Sequence, residues 1–306
     1  MMMLTENKNT LYPHLGKEAL LQIDLSDEDR VTAILSGTWI RYPRAKEILA
    51  RMEELLQYPR IDRMPNMLIV GASNSGKSNL LHHFERNHKP DPNLDGEYAI
   101  VPVLFVEAPK KPDVNDFYNR ILEAIWQPYA IRSRGSNKAS DIKQVLRNVQ
   151  LKVLLVDELQ HIIAGGPVKQ REFRNALKSL GNELKISIVC AGVEESFNAF
   201  STDPQMSNRF EPEFLPKWNL DNEYGDLLES FEKRIPLKTP SNLRANIPLA
   251  QKILWMSEGL LGEIHEILKR AAKQAIKDKS EQITLETLSK FRWTMPSKRK
   301  TIPSPS

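Results

Sequence analysis

The chain has 306 residues, with 43 Lys+Arg against 39 Asp+Glu and a formal charge of +4. That length suits about two domains, and so slight a basic excess permits a nucleic-acid partner without arguing for one. Short apolar runs such as VPVLFV, a single cysteine (Cys190) and an N-terminus without a basic-then-apolar leader exclude a membrane-spanning helix, an intrachain disulfide and a Cys-based zinc site, and predict a soluble, cytoplasmic protein of two parts.

Residues 1–25 show no steady period and are expected to form a flexible arm. At Ser26 the pattern changes: a capping serine precedes acids in a first helical turn, where the helix dipole favours them. RAKEILARMEELLQY (44–58) carries Ile48, Leu49, Met52, Leu55 and Leu56 at helical spacing, and Pro59 stops it. From there to about residue 220 short apolar runs alternate with amphipathic ones. Strands are predicted at 66–70, 100–107, 153–157, 186–192 and 213–218, and helices at 77–87, 115–126, 139–149 and 170–184. Continuous apolar strands alternating with helices indicate an α/β fold with a five-stranded parallel sheet covered on both faces. Beyond residue 220 only helices are predicted, so 26–220 reads as an α/β domain and 221–293 as a small all-helical one. The Pro- and Ser-rich stretch 294–306, with Lys298, Arg299 and Lys300, is expected to be disordered.

The chemistry sits between the first strand and its helix. Gly71, Ala72, Ser73, Asn74, Ser75, Gly76, Lys77 and Ser78 match G-x-x-x-x-G-K-[ST] in full. The two glycines permit a loop whose N–H groups converge on a phosphate. Lys77 supplies a point charge, the Ser78 hydroxyl suits Mg²⁺, and the helix that opens there through Asn79 adds its positive end. VLLVDE (153–158) provides the second half. Asp157 stands at the carboxyl end of a buried strand, where open α/β sheets bind ligands, and is expected to hold the metal. Glu158 follows as a candidate general base for an attacking water. The 80-residue interval from Lys77 to Asp157 holds one further strand, a spacing that suits ATP-hydrolysing proteins better than small-molecule kinases.

Taken together, WIRYP (39–43), RMPNMLIVGASNSGKS (63–78), VPVLFVEAPKKPDVNDFYNRIL (101–122), LLVDELQHI (154–162) and SNRF (207–210) resemble the TniB/TnsC family, the AAA+ ATPases of Tn7-like and Tn5053-like transposons. The resemblance runs over about 26–293. It implies a P-loop AAA+ module followed by a helical lid, and an ATP-bound homo-oligomer, ring or helical filament, encircling double-stranded DNA. It also implies recruitment of a transposase of the TniA/TnsB type under a TniQ-type target selector, and hydrolysis that disassembles the oligomer. Arg209 in SNRF matches the arginine that reaches the γ-phosphate of a neighbouring subunit; the plainer alternative is a surface arginine paired with Glu211 or Glu213. Two positions depart from the pattern. Gly192-Val193 stands where a polar sensor is usual, which leaves that sensor missing or displaced toward Glu194, and Glu263 stands where the lid's basic sensor is expected.

Lys110, Lys111, Arg132, Arg134 and Lys138 flank the helix after the second strand. In related oligomers such segments touch phosphates, which need flexible cations and carry no sequence information; a solvated basic loop is the competing reading. Trp39 and Tyr42 are candidates to line an adenine pocket. Two other functions share these motifs: a helicase loader or initiator ATPase, separated by its partner, and a nucleotide-switched signalling scaffold that binds no DNA.

Overall fold

The structure, a computed structural model, describes residues 10–37, 39–125, 135–201 and 204–300. In chain order the elements are α1 (Lys17–Gln22), α2 (Asp27–Ser36), α3 (Pro43–Gln57), β1 (Asn66–Gly71), α4 (Lys77–Asn87), β2 (Val103–Glu107), α5 (Val114–Ala124), α6 (Gly135–Asn148), β3 (Val153–Asp157), a 3₁₀ turn (Leu159–Ala164), α7 (Pro167–Leu184), β4 (Ser187–Gly192), α8 (Glu194–Ser201), α9 (Pro204–Ser207), β5 (Phe210–Leu215), α10 (Asn222–Glu232), α11 (Ile247–Ser257), α12 (Leu261–Lys277), α13 (Leu285–Ser289) and a second 3₁₀ turn (Pro296–Lys300).

They form two units, one of residues 44–216 and one that joins residues 1–43 to 217–306. The unit boundary therefore falls later than residue 26, because α2 packs on α12 rather than on the sheet. In the first unit the five strands are all parallel, in the order β2-β3-β4-β1-β5. β2 lies between β1 and β3 in sequence, yet β4 lies between them in space. Strands β1, β3 and β4 are buried along their whole length, as a sheet covered on both faces requires. Leu154, Phe173, Leu177, Leu180 and Ile188 belong to one apolar cluster with Cys190; cutting a fully buried leucine such as Leu154 to alanine costs about 2–5 kcal/mol. Cys190 is a core residue, and burial pushes its thiol pKa up.

β5 runs three residues earlier than its predicted span. Its alternating burial marks an edge strand, and such a strand tolerates Pro212 and its missing N–H. Two of its acids are claimed by α3. Arg44 and Arg51 both reach the buried Glu213, at 2.6 and 2.5 Å, and Arg51 also pairs with Glu211.

In the second unit Ser26 caps α2 by accepting from the N–H of Asp29. Arg30, fully buried, is closed by both oxygens of Glu281 at 2.8 and 2.6 Å, by Asp27, and by the carbonyl of Pro236. Residues 10–25, expected to be a loose arm, are corrected in part. Leu15, Ala19, Leu20 and Ile23 form a buried cluster, and the N–H of Gly16 donates to the carbonyl of Lys233 at 2.7 Å. A helix of six residues is too short for its period to be legible. Tyr42 is buried edge-on against Trp218, 5.3 Å between ring centres. The tail also departs from its expectation. Residues 296–300 form a turn in which Ser297 donates its N–H and hydroxyl to Glu258, and Arg299 reaches Glu263. Residues 301–306 lie outside the described residues. No helix among the described residues is long and apolar enough to cross a membrane.

Candidate active site

β1 delivers the loop 72–76 at its carboxyl end. The backbone of Gly76 takes φ 97°, the left-handed conformation that glycine adopts without strain, and turns the chain directly into α4. Gly71 is required for a different reason: a Cβ there would stand 2.6 Å from Ser75 Oγ and 3.0 Å from the Leu215 carbonyl. Ser75 is itself buried, with a hydroxyl that has no hydrogen-bond partner. Ala72, Ser73, Asn74 and Asn79 are exposed and Ser78 is half-buried in the first turn of α4.

Lys77 is only 7% exposed, and its ammonium donates to the carbonyls of Gly71 and Ala72 at 2.8 and 2.9 Å. The burial lowers its pKa, against the opposing pull of Asp157 and Glu158. A cation held partly dehydrated binds an anion more strongly than an exposed lysine does.

Asp157 ends β3 and is 2% exposed. Since β4 intervenes, it lies two interstrand spacings from β1, roughly 10 Å across the sheet, at the same carboxyl edge. Its Oδ1 accepts the N–H of Glu158 at 2.8 Å. Glu158 breaks the strand with φ 56° and starts the 3₁₀ turn. Gln160 donates to its carboxylate, and His161 Nε2 lies 3.8 Å from the same oxygen. The half-buried Ser78 hydroxyl and the Asp157 carboxylate are hard oxygen donors, the set that suits Mg²⁺.

Arg209 stands at the opposite end of the sheet. Its successor Phe210 is level with Asn66, the first residue of β1, so about 17 Å of strand separates it from its own phosphate loop. Glu211 and Glu213 are occupied by other arginines, and Arg209 donates instead to Asn182 Oδ1 at 2.6 Å. After β4, Glu194 is exposed at the start of α8. The buried hydroxyl nearest Gly192 is that of Ser196, which has no hydrogen-bond partner and would stand 2.7 Å from a Cβ on Gly192.

Lys110 and Lys111 are exposed on the loop between β2 and α5. Lys138 is corrected as a candidate phosphate contact: it is 4% exposed and engaged within the chain, because the helix it sits on turns it inward. Arg132 and Arg134 lie outside the described residues. Gln160 and Ser196 were missed from sequence, where His161, four residues past Asp157 on the γ-phosphate side, reads as a packing residue; the neighbouring LQHI text is the only local signal for Gln160.

Among families, the model described as "Bacterial TniB protein" matches residues 30–220. No curated protein matches the chain. Among solved structures, the Aeropyrum pernix ORC2 protein, in ADPNP–ADP complexes, is similar at TM-score 0.61 and 15% identity over 84% of this chain and 70% of that one. The Aeropyrum pernix ORC1 protein in complex with DNA gives TM-score 0.54 and 14% identity over 80% and 63%. Cdc6p from Pyrobaculum aerophilum gives 0.56 and 16% over 83% and 68%. The chain thus spans less than two thirds of the DNA-bound ORC1 chain. At such identities the likeness shows a shared fold.

Proposed function

The chain belongs to the TniB family of AAA+ ATPases, and on that premise we propose that it regulates DNA transposition. It forms an ATP-dependent homo-oligomer, ring or filament, on double-stranded target DNA. There it recruits a transposase of the TniA/TnsB type in response to a TniQ-type selector, in the cytoplasm. One observation supports the reading: the phosphate loop and the Asp157–Glu158 pair share the carboxyl end of the sheet, while Arg209 sits at the other end, about 17 Å of strand from its own loop and out of reach of its own nucleotide.

The residues divide the work as their surroundings dictate. The loop N–H groups of 72–76 and the ammonium of Lys77 bind the β- and γ-phosphates, with Lys77 exchanging its two carbonyl partners for phosphate oxygens. Ser78 and Asp157 would hold Mg²⁺, which when bound neutralises charge between the phosphates. Glu158 accepts the proton of the attacking water. Arg209 from the adjacent subunit stabilises the charge spread over the transferred group. Lys110 and Lys111, exposed on the β2–α5 loop, contact DNA phosphates; one subunit supplies few such contacts, so affinity comes from repetition along the oligomer. Arg132 and Arg134 are proposed to join them.

The likeness to ORC and Cdc6 proteins favours a second reading, an initiator or helicase-loader ATPase with the same nucleotide chemistry and a replicative helicase as partner. Sedimentation on short duplex DNA with ATP, ADP or a non-hydrolysable analogue, at two salt concentrations and with Lys77→Ala as control, tests the first part. Assembly is expected only with ATP and DNA together and weakens steeply with salt. Co-sedimentation of purified transposase against purified replicative helicase then separates the two readings. A protein that binds ATP and ignores DNA defeats both.

A further inference from the structure

Between Glu158 and the loop that carries Lys110 and Lys111 runs a short chain of contacts. The 3₁₀ turn Leu159–Ala164 folds two polar side chains back onto the Glu158 carboxylate, Gln160 by hydrogen bond and His161 Nε2 at 3.8 Å. The other nitrogen, His161 Nδ1, lies 3.4 Å from the carbonyl of Ala108. Ala108 opens the loop Pro109-Lys110-Lys111-Pro112, and its own N–H donates to the Asp157 carbonyl at 2.8 Å. The far end of that loop rests on the far end of the same turn: a Cβ on Gly165 would stand 2.1 Å from Pro112 Cγ. The 3₁₀ turn and the basic loop therefore touch at both ends, and His161 spans the gap beside the carboxylate.

We propose that His161 is a positioning residue that couples the Ala108–Pro112 loop to Glu158, while Gln160 holds the carboxylate in the pose seen here. The inference rests on reading Glu158 as the general base and the loop as a DNA contact. Three physical points support it. A carboxylate held by an amide donor is aimed at that donor, whereas a general base works only within about 2.6–3.2 Å of the proton it takes. Of the two His161 contacts, the one at 3.4 Å sits at the outer limit of hydrogen bonding and the one at 3.8 Å lies beyond it, so a displacement of about half an ångström breaks the first or makes the second. Buried prolines at 109 and 112 fix φ at both ends of the lysine pair, so a pull on Lys110 and Lys111 is passed to Ala108 instead of being absorbed. Phosphate contact at the lysines then alters where Glu158 points, and DNA sets the hydrolysis rate.

The test is steady-state ATP hydrolysis by the full chain with and without duplex DNA, paired with direct binding of a fluorescent ATP analogue. His161→Ala is expected to cut the stimulation by DNA about tenfold while the ATP Kd stays at the wild-type value. His161→Asn, which keeps a donor toward the Ala108 carbonyl, recovers part of it. Gln160→Ala, which frees the carboxylate, raises hydrolysis in the absence of DNA. The proposal is overturned if both His161 variants keep the wild-type stimulation, if they lose ATP binding in step with hydrolysis, or if wild-type hydrolysis ignores DNA. Glu158→Gln separates the two levels. If that variant still hydrolyses ATP, the general-base reading has failed; if it is inactive while His161→Ala responds to DNA normally, only the coupling has failed.

Discussion

Arg299 closes on Glu263 with both terminal nitrogens, 2.8 and 2.6 Å from the two carboxylate oxygens. Glu263 is nearly buried at the start of α12 and Arg299 is half exposed on the tail, where its guanidinium also lies 5.0 Å from the centre of the Trp293 ring. Glu263, an acid at a position where the sequence resemblance implies a basic residue, is thus neutralised by an arginine 36 residues further along the chain. Arg299→Ala takes a two-nitrogen clamp away from a nearly buried carboxylate, and the helical unit is expected to lose about 1–3 kcal/mol. Urea unfolding of the single variants and of Arg299→Ala with Glu263→Gln checks this, with the double variant losing less than the sum.

Lys77→Ala removes a buried ammonium whose hydrogen-bond partners among the described residues are two carbonyls. ATP affinity should fall by about 2–3 kcal/mol, on the order of 30- to 150-fold. The folded state loses little, because desolvating that charge was itself unfavourable. Nucleotide titration and thermal melting on the same samples measure the two effects.

Arg209→Ala should leave ATP binding intact and lower kcat about 10³-fold or more. If Arg209 acts on a neighbour, an equal mixture of Glu158→Gln chains, which keep the phosphate loop, and Arg209→Ala chains, each inactive alone, should regain activity. Roughly one interface in four then pairs an intact Glu158 with an intact arginine. A mixture as inactive as its components would mean that Arg209 does not act between subunits.

His265 on α12 packs its ring against Phe231, 5.2 Å between centres. Burial lowers its pKa from 6.5 to about 4, helped by Lys269 and opposed by Glu266. As pH falls below 6.5 the unfolded chain takes up a proton that the folded chain refuses, so stability present above that value is lost toward about pH 4. The loss approaches about 3 kcal/mol. Melting of wild type against His265→Gln between about pH 7 and pH 4 should show the wild-type slope flattened in the variant.

What was legible in the sequence was whatever depends on a few adjacent residues. Four apolar residues followed by Asp157 and Glu158 announce a buried strand ending in acids, and Gly71–Ser78 announces its loop, since both are set by local geometry. That β4, itself predicted at 186–192, separates them in space was not legible, because parallel crossovers choose their neighbours through packing. β5 was displaced because an edge strand needs only half the apolar pattern of a central one. Gln160 escaped notice, and His161 reads as mere packing, because their return onto Glu158 depends on one left-handed residue. The tail looked unstructured because its anchors, Glu258 and Glu263, lie more than thirty residues away.

The division of the chain also sets an order of events during synthesis. Residues 44–216 are one continuous stretch, so the ATPase unit is complete as soon as it leaves the ribosome. The first 43 residues belong to a unit finished only by 217–306. Gly16 waits for Lys233, and Arg30 for Glu281. At about 5–20 residues per second, some 250 residues of delay leave Leu15, Leu20, Ile23 and a charge destined for burial uncovered for roughly 10–50 s. The nascent segment 10–43 is therefore open to chaperones, and premature termination anywhere before Glu281 strands it.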